Sequence, residues 1–212
     1  MTYFPENLAD RYRRFKVRHF APNQDQYETL AADGQAPDVM VISCCDSRVD
    51  PETIFSAMPG ELFVVRNVAN LVPPFETTGK YHGVSAALEF AALTLRVKHI
   101  VIMGHSGCGG VRACIDHDAT RQTDAQFIRN WMSMLDTACA AIVAAHPGAA
   151  RPELRERLER EGVKVSLANL RTFPCIQILE GKGRIALHGA YFNVATGVLS
   201  VLNQATGNFV PV

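Results

Sequence analysis

Two thiols, an imidazole, a carboxylate and a guanidinium are concentrated in two short stretches of this chain: Cys44-Cys45-Asp46-Ser47-Arg48 and His105-Ser106-Gly107-Cys108-Gly109-Gly110. Thiolate sulfur and imidazole nitrogen are zinc donors, and three of them with a fourth position open make a catalytic rather than a structural site. Cys44, His105 and Cys108 form such a set. His-x-x-Cys alone arises by chance, but joined with a cysteine at the end of a neighbouring strand it becomes specific. The competing reading of 105–110 is a glycine-rich turn that only packs a strand against a helix. A helix opening there adds positive potential, which favours Cys108 as thiolate. Asp46 and Arg48, one residue apart, point the same way in an extended segment. An isolated Asp-x-Arg is usually a plain surface ion pair. Two residues from a metal ligand, the arginine fork would leave one carboxylate oxygen free to accept from metal-bound water, and would keep Asp46 off the metal.

Both stretches need elements that bring them together. Val39-Met40-Val41-Ile42 precedes the first, and His99-Ile100-Val101-Ile102-Met103 precedes the second. Apolar, β-branched runs bounded by turn residues read as buried parallel strands. Side by side, they deliver both motifs to one carboxyl edge, where open α/β sheets keep their ligands.

Along the rest of the chain, 2–20 carries aromatics at helical spacing among charges, an amphipathic arm whose stripe reads as packing surface. Asn23 is placed to cap a helix through Ala32, ended by Gly34. Strands are expected over 38–43 and 61–66, then a loop over 67–74. The segment 79–95 reads as a helix apolar nearly all round, hence buried under the sheet or against another subunit. After the strand at 99–103, helices are expected over 107–115, 124–145 and 153–170. Short strands at 176–179, 184–192 and 198–202 complete the chain. The pattern is α/β: one domain over 1–212, including a helical arm over 1–34, with a mostly parallel central sheet flanked by helices and an antiparallel C-terminal strand.

The 212 residues, 48% hydrophobic and 20% charged, have the length and balance of one large globular domain. The 21 basic residues match the 21 acidic ones, so charge points to neither a nucleic-acid nor a membrane partner. No signal-peptide core or bilayer-length apolar run is evident, and a cytoplasmic location is the expectation. The six cysteines therefore read as metal ligands or buried side chains rather than disulfides. Cys114, Cys139 and Cys175, among apolar neighbours, read as small hydrophobes.

Cys44-Cys45-Asp46-Ser47-Arg48, the run Pro59-Gly60-Glu61-Leu62-Phe63-Val64-Val65-Arg66-Asn67-Val68-Ala69-Asn70-Leu71-Val72, and His105-Ser106-Gly107-Cys108-Gly109-Gly110, in this order, resemble the β-class carbonic anhydrases. Leu187-His188-Gly189-Ala190-Tyr191-Phe192 also fits. The resemblance implies one zinc ion per subunit on Cys44, His105 and Cys108, with Asp46 and Arg48 as the catalytic dyad. It implies reversible hydration of carbon dioxide to bicarbonate by a zinc-bound hydroxide that Asp46 orients. Asp46 would be a fourth ligand only in a closed, inactive state. Gln35 matches a substrate-binding amide, and Phe63, Val68 and Phe90 match substrate-pocket positions. Plant-type members carry tyrosine where this chain has Phe90. The family pocket lies at a dimer interface, so a dimer or tetramer is expected. One subgroup is switched off by bicarbonate beside a tryptophan; that position is Val41 here, and Ser43 replaces a glycine, so the switch is expected to be absent although Arg66 is present. Hydrolysis of carbonyl sulfide or carbon disulfide on the same site, and zinc or bicarbonate binding without catalysis, are the other readings. His82, His117, His146 and His188 read as structural or solvated.

Overall fold

The computed structural model describes residues 4–116 and 126–212, which fall into two compact units, one ending at Ala36 and the other spanning Pro37–Val212. His117 and Asp124 lie outside the described residues. The first unit is helical, with α1 at Glu6–Phe15, a π-helical turn at Lys16–Phe20 and α2 at Gln24–Asp33. Its aromatic stripe packs partly on itself: the Phe20 and Tyr27 rings are 4.8 Å apart, and Lys16 Nζ sits 3.9 Å from the centre of the Phe20 ring. Phe4, Tyr12 and Val17 remain exposed. Gly34 ends α2 with φ +83°, a conformation that favours glycine. Asn23 does not cap α2 with its side chain, as the sequence suggested. Its Nδ2 instead donates to the His19 carbonyl at 2.7 Å, because the chain enters α2 directly from another helical turn.

The second unit is a sheet of β1 (Val39–Cys44), β2 (Leu62–Asn67), β3 (His99–His105), β4 (Ala186–Phe192), β5 (Leu199–Asn203) and β6 (Asn208–Pro211). Their order is β2-β1-β3-β4-β5-β6; the first four pair parallel and the last two antiparallel. This is the expected α/β architecture. Ser43 pairs with Met103 and Cys44 with Asn67, so the ends of β1, β2 and β3 lie level. α3 is the short helix Pro51–Ile54, and α4, Gly83–Glu89, runs on into a π-helical turn, Phe90–Leu95. Leu88, Ala91 and Ala92 are buried there, whereas Phe90 is 44% and Leu93 53% exposed. Within one chain the expected all-round burial of this segment holds for only one face.

α5 spans Gly109–Asp116, α6 Gln126–Met132, α7 Asp136–Ala145, α8 Arg151–Leu170 and α9 Pro174–Gly181. α9 replaces the expected strand at 176–179. A four-residue apolar run does not separate strand from helix, and Pro174 in the first turn favours the helix. A tight turn at Ser133–Leu135 divides α6 from α7, where one continuous helix was expected. β6 follows a Gly207 turn and carried no alternating pattern in the sequence. Among the described residues no helix is long and apolar enough to cross a membrane.

α8 lies close over the sheet because two strand residues have no side chain. A Cβ on Gly104 would meet Val163 Cγ2 at 2.7 Å, and one on Gly189 would meet Val163 Cγ1 at 2.9 Å. Met40, Ile42, Ile100, Ile102, Leu167, Leu170 and Phe173 fill the core around this contact. Gly189→Ala is expected to cost about 1–3 kcal/mol by overpacking, read as a lowered urea midpoint with an unchanged m-value. α8 also pins the segment after β2. Ser166 Oγ donates to the Asn70 carbonyl (3.1 Å) and accepts from the Val72 amide (3.2 Å), while Asn169 Nδ2 donates to the Val72 carbonyl at 2.7 Å.

Candidate metal centre

β1 ends on Cys44 and β3 on His105, one strand away. Gly107, at φ +69°, turns the chain back so that Cys108 rejoins the pair before α5 begins. The turn is tied to the end of β4: the Ser106 amide donates to the Phe192 carbonyl at 3.0 Å, and Ser106 Oγ accepts from the Val194 amide at 2.9 Å. As a result, the donor atoms of Cys44, His105 and Cys108 lie within 4.8 Å of one another, with the two sulfurs 4.0 Å apart. All three residues are buried.

The chemistry of these donors fits a divalent cation. His105 Nδ1 lies 3.0 Å from the Ser106 carbonyl. A carbonyl only accepts, so Nδ1 carries the proton and Nε2 presents a lone pair. That Nε2 is buried and has no hydrogen-bond partner among the described residues. The hydrogen bond between the thiols pushes Cys44 down to about 4 against the opposing effect of burial. The same bond, together with burial, pushes Cys108 up.

Asp46 and Arg48 form a fork. Asp46 Oδ1 accepts from the Arg48 amide (3.0 Å) and Nε (2.8 Å), and Oδ2 accepts from Nη2 at 2.7 Å. Nη2 also donates to the Gly107 carbonyl at 3.0 Å, which ties the dyad to the turn between His105 and Cys108. The Arg48 hydrogen bonds hold the Asp46 carboxyl well below the usual carboxylate range. Among the described residues Oδ2 has one donor, Arg48 Nη2, and a lone pair to spare.

Two supports were not assigned these roles from sequence. Arg66 Nε donates to the Cys44 carbonyl (3.0 Å), Nη2 to the Asp46 carbonyl (2.7 Å) and Nη1 to Asp50 Oδ1 (3.2 Å), clamping the loop that carries ligand and dyad. Glu159, on α8, is 5% exposed and accepts from the Cys108 amide at 3.0 Å and from the Tyr191 hydroxyl at 2.7 Å. The signal for Glu159 was its position on the stripe of Leu158, Val163 and Leu167, where a charge is out of place.

The pocket positions separate. Val68 lines a cavity of about 860 Å³ with Cys45, Asn67, Tyr81 and Trp131, and Trp131 Nε1 donates to the Val68 carbonyl at 2.7 Å. Phe63 pairs with Met40, four positions back along the strand from Asn67, roughly 13 Å away at strand rise. Its ring lies 5.9 Å from that of Phe90, and neither lines the cavity. Gln35 is exposed at the end of the N-terminal unit. Val41 is buried.

Comparison with known proteins gives a consistent result. The family profile described as carbonic anhydrase matches residues 39–199. Beta carbonic anhydrase 3 of Arabidopsis thaliana is 34% identical over 92% of this chain and 76% of its own length. The structure of the β-carbonic anhydrase CcaA superposes with a TM-score of 0.90 at 27% identity, covering 98% of each chain. The Coccomyxa β-carbonic anhydrase in complex with acetazolamide gives 0.82 at 25% identity, covering 99% of this chain and 93% of that one.

Proposed function

This chain belongs to the β-class carbonic anhydrases, and we propose that it works through one zinc ion per subunit, held by Cys44, His105 and Cys108. It catalyses the reversible hydration of carbon dioxide to bicarbonate and a proton, the reaction of a carbonate dehydratase, a lyase. The observation that carries the zinc assignment is the buried His105 Nε2, without a hydrogen-bond partner among the described residues, beside two sulfurs 4.0 Å apart.

When bound, zinc acidifies a coordinated water and so supplies a nucleophile near neutral pH, less strongly with two thiolates than with three imidazoles. The chain's own residues arrange the reaction around it. The Arg48 fork keeps Asp46 ionised and aimed, so that Oδ2 is placed to accept a hydrogen bond from a proton-bearing nucleophile and orient it. The same fork holds Asp46 away from the metal position, leaving that position open. The mostly apolar cavity beside Val68, bordered by Trp131, Tyr81 and the neighbouring Cys45, suits an uncharged linear substrate.

Exposed Phe90 and Leu93 support self-association to a dimer or tetramer, with Gln35, Phe63 and Phe90 serving a neighbouring subunit's pocket. A cytoplasmic location is part of the same reading. Arg66 is engaged by the loop that it clamps, which supports the expected absence of a bicarbonate switch.

Two thiolates and a neutral imidazole cancel the charge of Zn²⁺. The pH midpoint of kcat/KM for hydration is therefore expected above the ~7 of a three-histidine site. Activity rises through that midpoint as pH increases, and a profile already level below neutrality contradicts the assignment. The function is tested by stopped-flow hydration of carbon dioxide with metal analysis on the wild type and Asp46→Ala. One zinc per chain in both proteins, with hydration largely lost in Asp46→Ala, is the expected result.

A further inference from the structure

We propose that Glu159 is a positioning residue of the metal centre: its buried carboxylate holds the Cys108 main chain in the ligating position and adds negative charge beneath the cation. The proposal rests on the zinc reading above. It begins with the close approach of α8 to the sheet. Because Gly104 and Gly189 let Val163 down onto β3 and β4, the residue one turn earlier on α8 reaches the turn after β3. That residue is Glu159, and Oε1 takes the Cys108 amide at 3.0 Å.

A buried carboxylate is costly to desolvate and persists where donors meet it. Burial pushes the Glu159 carboxyl up, while the Tyr191 hydroxyl and the amides of Cys108 and Gly107 pull it back. Tyr191 is itself 1% exposed, and the Arg160 guanidinium lies 4.3 Å from the centre of its ring, which fixes the phenol under the carboxylate. Both carboxylate oxygens thus have a donor, one of them the backbone of a zinc ligand. Supports of this kind, one bond removed from the ligand, typically change metal affinity 10–100-fold when lost.

The test compares the zinc affinity of the wild type, Glu159→Gln and Glu159→Leu by competition with a chelator, with thermal midpoints recorded alongside. Gln keeps the shape and one acceptor for the Cys108 amide but not the charge; Leu keeps neither. The expected result is a loss of ~10-fold for Gln and ~100-fold for Leu. Wild-type affinity in Glu159→Gln, or equal losses in the two variants, overturns the proposal. A wild type that binds no zinc instead defeats the metal reading on which the proposal rests. Should Glu159→Leu not fold, the amide proton of Cys108 in the wild type decides. Slow exchange and a downfield NMR position that moves upfield in Glu159→Gln support the carboxylate bond. Fast exchange in the wild type overturns it.

Discussion

Cys108→Ala is expected to remove the zinc and to lower carbon dioxide hydration by at least ~10³-fold. The reason lies in the geometry of the cluster. Its donors lie within 4.8 Å of one another on two short stretches, and two of them alone leave a cation half-coordinated. Cys44→Ala and His105→Ala are expected to have the same effect. Because the three act as a unit, Cys44→Ala/Cys108→Ala should be no less active than either single variant, a non-additivity that distinguishes a shared ion from three separate contributions. Metal analysis by mass spectrometry with stopped-flow rates on the same preparations measures both. A Cys108→Ala protein that keeps one zinc per chain and more than a tenth of its rate would contradict the ligand set.

Arg48→Ala is expected to keep its zinc and still lose ~10²–10³-fold in kcat/KM. The substitution removes the bonds to Asp46 from Nε (2.8 Å) and Nη2 (2.7 Å) and the tie to the Gly107 carbonyl (3.0 Å). Asp46 is then free to turn toward the cation and fill the position that substrate chemistry needs. Asp46→Ala/Arg48→Ala should consequently be no worse than Arg48→Ala, because the blocking group is gone. Losing the fork lets the Asp46 carboxyl return toward its ordinary value of ~3.9, still below the working range. Asp46 thus stays ionised from pH 6 to pH 9 in the variant, and the loss comes from its position rather than its charge. Arg48→Lys, with a point charge in place of a fork, should fall between the two. An Arg48→Ala protein that keeps its zinc and the wild-type kcat/KM would contradict this role of the fork.

The donor cluster was legible in the sequence because thiols and imidazoles are rare at strand ends and each followed a recognisable buried strand. The Asp46–Arg48 fork was legible because both partners lie within three residues. The remaining features depend on tertiary approach. Gly104 and Gly189 carry no marker of their own, and their meaning appears only when α8 is seen to press Val163 onto them. Glu159 is hidden in a helix rich in alternating charges such as Glu153, Glu156 and Arg157, most of them solvated pairs. Arg66 was noted, but its clamp on the Cys44 and Asp46 carbonyls involves main-chain atoms, which no sequence pattern encodes. The four residues at 176–179 fit either period, so the sequence does not separate α9 from a strand. Register puts Phe63 well back along β2 from Val68, a separation that the resemblance alone does not reveal.

Zinc K-edge X-ray absorption on the purified protein tests the central claim most directly, since it reads the donor atoms themselves. Two sulfur scatterers at ~2.3 Å and one imidazole nitrogen at 2.0–2.1 Å, with one further light atom, are expected. A shell of nitrogen and oxygen without sulfur, or one with a single sulfur, would contradict it.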